Sequence, residues 1–293
     1  MRSATRSLTS NESAAIELAE QRNRFAAAMA SAPGVSDPRV GRAFARVPRE
    51  DFVGRGPWMV LTPDGYVDTP SADPALVYQD VVVALAPEKR INNGQPSLHA
   101  RCLSAARIRP GEQVLHIGCG SGYYTAILSE LVTGTGAVAA WDVEPTLVVA
   151  ADHNLRRWSN ATVTLRSGTS PPIPASDVIY VSAGCTKPLK IWADALLQGG
   201  RLVFPLTPGW DFGGMLKVTR RGDGYEAEFI CRCSFIPCNG DSDTAMEERL
   251  RQAFSRGGAE RVASLHFGVD APAADLWLAG EGWWLSTAPA TRQ

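Results

Sequence analysis

"QVLHIGCGSGYYTAIL", Gln113 to Leu128, decides the fold. Val114 to Ile117 read as a buried strand, Gly118, Gly120 and Gly122 as a turn, and Tyr123 to Leu131 as a helix. Glycines in such a turn let the backbone approach a ligand closely. A dinucleotide fingerprint needs the spacing G-x-G-x-x-G. Counted from Gly118 its last glycine falls on Tyr123, and from Gly120 on Thr125, so both registers fail. A P-loop needs a lysine at its end, and no lysine stands between Lys89 and Lys187. The loop is therefore not a phosphate cradle. His116 stands inside the strand between Leu115 and Ile117. Its first reading is a neutral hydrogen-bonding residue beneath the loop, and its second a cofactor contact.

Outward from this stretch the pattern stays regular. "PSLHARCLSAARI" precedes it as a helix stopped at Pro110-Gly111. After it come a strand at Ala137–Trp141, a helix at Pro145–Trp158, and strands at Thr162–Leu165 and Val178–Val181. A helix at Leu189–Leu197 and a strand at Arg201–Pro205 follow. Such alternation predicts a Rossmann-like, doubly wound, mainly parallel α/β sheet covered on both faces. "MLKVTRRGDGYEAEFICRCSF" predicts an antiparallel hairpin turned at Gly222-Asp223-Gly224. Ligands of such sheets sit at the carboxyl ends of the central strands, which is where the glycine turn falls. The next strand ends in "AWDVEP". The short carboxylate of Asp142 can accept two hydrogen-bond donors at once.

The spacing of Gly118, Gly120 and Gly122 with Asp142 resembles motif I and the ribose acid of the S-adenosylmethionine-dependent methyltransferases. The likeness extends further. "RVPREDFV", "QPSLHA", "SDVIYVSAG", "LLQGGRLVFPL" and "FICRCSFIPC" resemble successive segments of the protein-L-isoaspartate O-methyltransferases, over roughly residues 40 to 240. The resemblance implies S-adenosylmethionine as cofactor and S-adenosylhomocysteine as product. It implies cofactor contacts from Gly118, Cys119, Gly120, Ser121, Gly122, Asp142, Val143, Ser167, Gly168, Gln95 and His99. Three positions depart from that family. Its acid inside motif I is His116, the acid of its Gly-Asp-Gly is Ser167, and the serine it treats as active is Gly94.

Methyl transfer is an in-line displacement in which the cofactor carries the activated group and the protein holds two reactants in line. A carboxylate acceptor is already ionised at neutral pH and needs neither a base nor a metal; no metal ligand set is expected. Asn93 and His99 are the candidates for a catalytic role, His99 having a buried helix histidine as its other reading. The expected function is methylation of a carboxylate on a protein, peptide or small metabolite. The alternatives are an O- or N-methyltransferase of a natural product and a non-catalytic cofactor-binding regulatory module.

The remaining regions surround this core. Residues 11–31 predict a helix capped by Asn11 or Ser13, and "SDPRVGRAFARVP" a second, begun at Ser36 or Asp37. Residues 52–95 predict an irregular lobe with one apolar strand, Val81–Leu85, and with Trp58, Tyr66 and Tyr78 either packed in it or lining an acceptor pocket. The tail predicts a helix over "TAMEERLRQAFSR" and two strands, Arg261–Phe267 and Asp275–Ser286, with Trp283 and Trp284 on opposite faces. The expected division is residues 1–95 as helices and lobe, 96–240 as core and 241–293 as extension.

The 293-residue chain has a net charge of -1. It offers no basic excess for a nucleic-acid partner. No apolar run reaches membrane length, and the first residues carry no signal-peptide core. The six scattered cysteines predict reduced thiols and a cytoplasmic setting, with Cys231 and Cys233 packed in the core. A monomer or homodimer is expected.

Overall fold

The computed structural model describes residues 9–238, 243–269 and 274–290. The chain enters through α1 (Ser10–Ala30) and α2 (Pro38–Arg46). Thr9 caps α1 in a reciprocal capping box with Glu12, in place of the expected Asn11 or Ser13. Asp37 caps α2 and Pro38 opens it, as expected. The lobe that follows holds four short strands rather than one. They are β1 (Met59–Thr62), β2 (Gly65–Asp68), β3 (Ala84–Ala86) and β4 (Ile91–Asn92), paired as two small hairpins. The expected strand at Val81–Leu85 is thus displaced to Ala84–Ala86.

The core runs α3 (Pro96–Ala106), β5 (Gln113–Ile117), α4 (Tyr123–Val132), β6 (Ala137–Asp142), α5 (Pro145–Asn154), β7 (Ala161–Leu165) and β8 (Ser176–Val181). It continues with α6 (Lys190–Asp194), β9 (Leu196–Leu206), β10 (Gly213–Arg221) and β11 (Gly224–Cys233). The helix expected over Leu189–Leu197 is shorter, because Leu196 and Leu197 already belong to β9. The tail adds α7 (Thr244–Arg256), β12 (Ser264–Phe267), β13 (Leu276–Gly280) and β14 (Trp283–Ser286). The strand expected at Asp275–Ser286 is thus a hairpin, turned at Gly282 with φ of 72°. The boundary expected at 240 falls outside the described residues.

One ten-stranded sheet carries the core and the tail, in the order β13-β14-β12-β11-β10-β9-β8-β5-β6-β7. The pairings from β9 to β7 are parallel and the others antiparallel. The tail strands therefore prolong the core sheet, through Tyr225 opposite Leu265 and Glu226 opposite Ser264. Apolar side chains bury both faces. Val114, Tyr180 and Val203 face α1 to α4 and the lobe, and Leu115, Ile179 and Leu202 face the α6 and α7 side. Cys233 lies in the first of these clusters with Cys231 packed against it. No helix of the described residues is long and apolar enough to cross a membrane.

Two buried arginines fasten the layers. Arg201 on β9 donates to both carboxylate oxygens of Glu112 at 2.8 Å and to the carbonyls of Ala106 and Arg107, clamping the end of α3 to the sheet. Arg49 is fully buried. It donates to the carbonyls of Val77 and Gln79 at 2.7 Å, and of Val81 at 2.6 Å. Its charge lies over the rings of Phe25 and Tyr123. The Arg49→Met variant leaves those carbonyls buried without donors. It is expected to lose more than about 3 kcal/mol of stability, measured by chemical denaturation. Arg49→Lys should recover little of this, because one ammonium does not span three carbonyls. An unchanged denaturation midpoint in Arg49→Met would mean that the lobe is held by other contacts.

Candidate active site

The chain moves from β5 through β6 to β7 in one direction, then returns to β8 and β9 on the other side of β5. The carboxyl end of β5 is therefore the switch point of the sheet, where a crevice must open. The glycine turn occupies it. Gly118, Gly120 and Gly122 have φ of 74°, 57° and 94°, a region that side-chain-bearing residues seldom adopt. The turn is tied to β6 by Gly118 N–H donating to the Trp141 carbonyl at 2.8 Å. Gly122 stands at the N-cap of α4 without a capping side chain.

Asp142 ends β6 beside this turn. Its carboxylate accepts from Gly120 N–H at 2.7 Å and from Glu144 N–H at 3.0 Å. Burial raises its pKa above the usual carboxylate value, and those backbone donors oppose the rise. The next residue, Val143, is exposed. Ser167 and Gly168 follow β7, with Arg166 N–H donating to the Asp142 carbonyl at 2.8 Å. A side chain on Gly168 would meet Ile117 Cγ2 at 2.3 Å, so that glycine allows close packing against the end of β5.

A cavity of about 650 Å³ lies between the turn and the lobe. Of the expected site residues, it brings together Asn93, Gln95, His99, Gly118, Cys119, Gly120 and Ser121. Gly122, Asp142, Val143, Ser167 and Gly168 do not line it; Gly122 stands at the N-cap of α4 and the others at or just after the ends of β6 and β7. Of the lobe aromatics only Tyr66 lines the cavity. Trp58 and Tyr78 are packing residues. The Trp58 indole donates to the Gly54 carbonyl, and Tyr78 joins Glu50 and Arg22. Trp210, Phe212, Arg90 and Arg232 also line the cavity, and the sequence reading had not named them. Three buried polar atoms of lining residues have no partner: Asn93 Nδ2, Ser121 Oγ and Tyr123 Oη. Buried polar groups normally find partners, so these atoms mark a place for a polar ligand.

His99 sits on the first turns of α3, almost fully buried. Its Nδ1 shares a 2.8 Å hydrogen bond with the Tyr180 hydroxyl. Its ring stacks on Tyr124 at 3.7 Å. Gly94 has φ of 70°, and a Cβ built on it would stand 2.4 Å from His99 Nε2. The imidazole therefore fills the space of a side chain at position 94.

His116 has both nitrogens engaged, by Thr125 Oγ1 at 2.8 Å and by Ser182 Oγ at 3.1 Å. It does not line the cavity. It braces β5 against α4 and the end of β8, which matches its first reading. Burial pushes the pKa of both histidines down to about 3.

The fold, the glycine turn at its switch point and the acid at the end of the next strand define a class: this is an S-adenosylmethionine-dependent methyltransferase. Residues 22–243 match the family model described as protein-L-isoaspartate(D-aspartate) O-methyltransferase (PCMT). The chain belongs to that family. Protein-L-isoaspartate O-methyltransferase 2 of Anaeromyxobacter sp. (strain Fw109-5) is 30% identical over 74% of this chain and 82% of the relative. The enzyme of Protochlamydia amoebophila (strain UWE25) is 30% identical over 72% and 92%. In fold the chain is similar to a solved protein-L-isoaspartate O-methyltransferase, with TM-score 0.63 and 22% identity over 84% of this chain and 72% of that one. It is also similar to a putative protein-L-isoaspartate O-methyltransferase from Plasmodium falciparum in complex with S-adenosyl-L-homocysteine, with TM-score 0.59 and 16% identity over 74% and 98%.

Both buried histidines make stability depend on pH. In the folded chain they stay neutral down to about 3, whereas unfolded they take up protons near 6.5. The unfolded state then binds more protons between these values. Stability is complete above the unfolded pKa and falls as pH drops through that window. The slope is up to about 1.4 kcal/mol per pH unit for each histidine. His116→Gln should flatten the acid limb of a melting-temperature profile. A limb of unchanged slope would mean that His116 titrates alike in both states.

Proposed function

We propose that this enzyme methylates an isoaspartyl carboxylate, or a closely related one, on a peptide or protein. The observation that carries this reading is the cavity that joins the glycine turn to His99, Gly94 and Asn93. The relatives are named for that acceptor. In this reading Gly118 to Gly122 cradle the amino-acid part of S-adenosylmethionine. Asp142 accepts the ribose hydroxyls, and Val143, Ser167 and Gly168 flank the adenine. Ser121 Oγ, Tyr123 Oη and Asn93 Nδ2, otherwise unpartnered, supply polar contacts to the bound groups. The cofactor supplies an activated methyl group. The protein orients the acceptor and excludes water. Residues 96–240 with the covering lobe 1–95 would form the catalytic unit, and 241–293 the extension. A monomer is the simplest state that completes this cavity.

His99 takes over the contact that a side chain at 94 would make. Tyr180, whose pKa burial holds well above the usual phenol value, donates to Nδ1 in this reading. The ring proton then lies on Nε2, at the position of the missing side chain. A neutral N–H donor there can hold one carboxylate oxygen and leave the other free to attack. A protonated ring is not needed, which fits a pKa near 3.

Three measurements test the reading. S-adenosylhomocysteine should raise the melting temperature of the wild-type protein, and Asp142→Ala should weaken its affinity roughly 10- to 100-fold. No shift up to millimolar ligand would remove the cofactor site. An isoaspartyl peptide should accumulate a base-labile methyl ester. Its absence, with cofactor binding intact, would point to the regulatory-module alternative or to another acceptor. His99→Ala should lower kcat about 10- to 100-fold, the worth of one hydrogen bond to a charged group. His99→Asn should restore part of it, and Tyr180→Phe should lower kcat in the same direction. A loss confined to the thermal shift by S-adenosylhomocysteine would place His99 on the cofactor side only.

A further inference from the structure

The charged side chains that line the cavity are Arg90 and Arg232, with no carboxylate among the lining residues. Neither arginine has an acidic partner among the described residues. Arg90 lies over the ring of Trp210 at 5.4 Å, and Arg232 over that of Phe212 at 4.4 Å. Trp210 and Phe212 are 53% and 58% exposed as residues, although their loop is braced. Asp211 between them pairs with Arg251 of α7 at 2.6 Å, and Ser234 Oγ donates to the Trp210 carbonyl at 2.9 Å. A guanidinium stacked on a ring keeps its edge N–H groups free for a carboxylate.

We propose that these four residues form an anion-binding rim, and that the preferred acceptor is an acidic peptide segment. It presents a second carboxylate, from a glutamate or aspartate next to the methylated residue, to Arg90 or Arg232. This rests on the peptide-carboxylate reading above. Two positive charges at one cavity mouth favour an acidic ligand both on approach and once bound. Apolar ring faces beside them give the peptide stems a surface to cover. The tail helix has a part in this, because its Arg251 holds the loop that carries both rings.

The test compares two isoaspartyl peptides of equal length that differ only in glutamate or glutamine at the flanking positions. In the wild type, kcat/KM should favour the acidic peptide about tenfold or more, mostly through KM, and the preference should shrink as salt rises. In Arg90→Gln/Arg232→Gln the ratio should fall toward one, with the single variants between. Equal kcat/KM for both peptides in the wild type would overturn the proposal, as would a preference that persists in the double variant. A second measurement does not depend on turnover. Fluorescence anisotropy of the same two labelled peptides, on enzyme saturated with S-adenosylhomocysteine, should show tighter binding of the acidic one, lost in the double variant. Equal binding overturns the rim. Absence of methyl ester on both peptides with discriminating binding overturns only the carboxylate-transfer reading.

Discussion

The position of the lobe depends on one buried charge. Among the described residues Arg49 has no carboxylate partner; the carbonyls of Val77, Gln79 and Val81 and the faces of Phe25 and Tyr123 surround it instead. This stretch of the lobe pairs with no neighbouring strand over those residues, so its carbonyls need a donor from elsewhere. A guanidinium supplies several donors in a fixed plane, which an ammonium does not. The consequence reaches the cavity. Asn93 Oδ1 accepts from Val83 N–H at 2.9 Å and faces Arg49 Nη2 at 3.5 Å. The chain is thereby fixed just before Gly94, Gln95 and the start of α3. The arginine is therefore remote from the proposed chemistry but sets where His99 emerges.

The two histidines form a second linked set. His116 faces Thr125 and Ser182, His99 faces Tyr180, and the Tyr180 ring packs edge-on against His116 at 5.7 Å. Burial, and after it the neighbouring His116 and Arg49, lower the pKa of His99. An acid at position 116 would be a buried carboxylate in contact with hydroxyls only. A neutral imidazole meets both hydroxyls without a charge to solvate. His116 and His99 thus sit in two neutral hydrogen-bonded pockets joined by the Tyr180 ring, and the His99 ring occupies the space beside Gly94.

The parts of the fold that were readable from the sequence are those governed by repetition. Strand and helix lengths alternate from Pro96 onward, and the turn at Gly222 is written in its residues. Asp142 followed from the glycine turn by the same regularity. The lobe was not readable in this way, because strands of two to four residues are too short for a period to appear. Arg49 reads as one arginine among many, and only burial distinguishes it. The tail hairpin was merged into one strand because "AGEGWW" carries a turn of glycine and glutamate inside an apolar run. Trp210 and Phe212 sit in "PGWDFGG", a loop without period. Two aromatics flanked by glycines and left with little to pack on were the available signal.

The continuity of the sheet gives the tail a physical role. β12 to β14 extend β11, and α7 packs across the same face as Leu206, Leu216 and Val218. Gly209, in the loop between β9 and β10, lies against the carboxylate of Glu247, and a Cβ there would stand 3.1 Å from its oxygen. Glu247 in turn pairs with Arg251, which also holds Asp211. The loop bearing Trp210 and Phe212 is thus braced by the extension as well as by Ser234, which donates to the Trp210 carbonyl. The glycine turn and Asp142 lie at the ends of β5 and β6 and His99 on α3, whereas the loop of the aromatic rim is braced in part by α7. On this geometry the glycine turn belongs to the parallel core, and the added segment touches the proposed site through the loop that Arg251 and Glu247 brace.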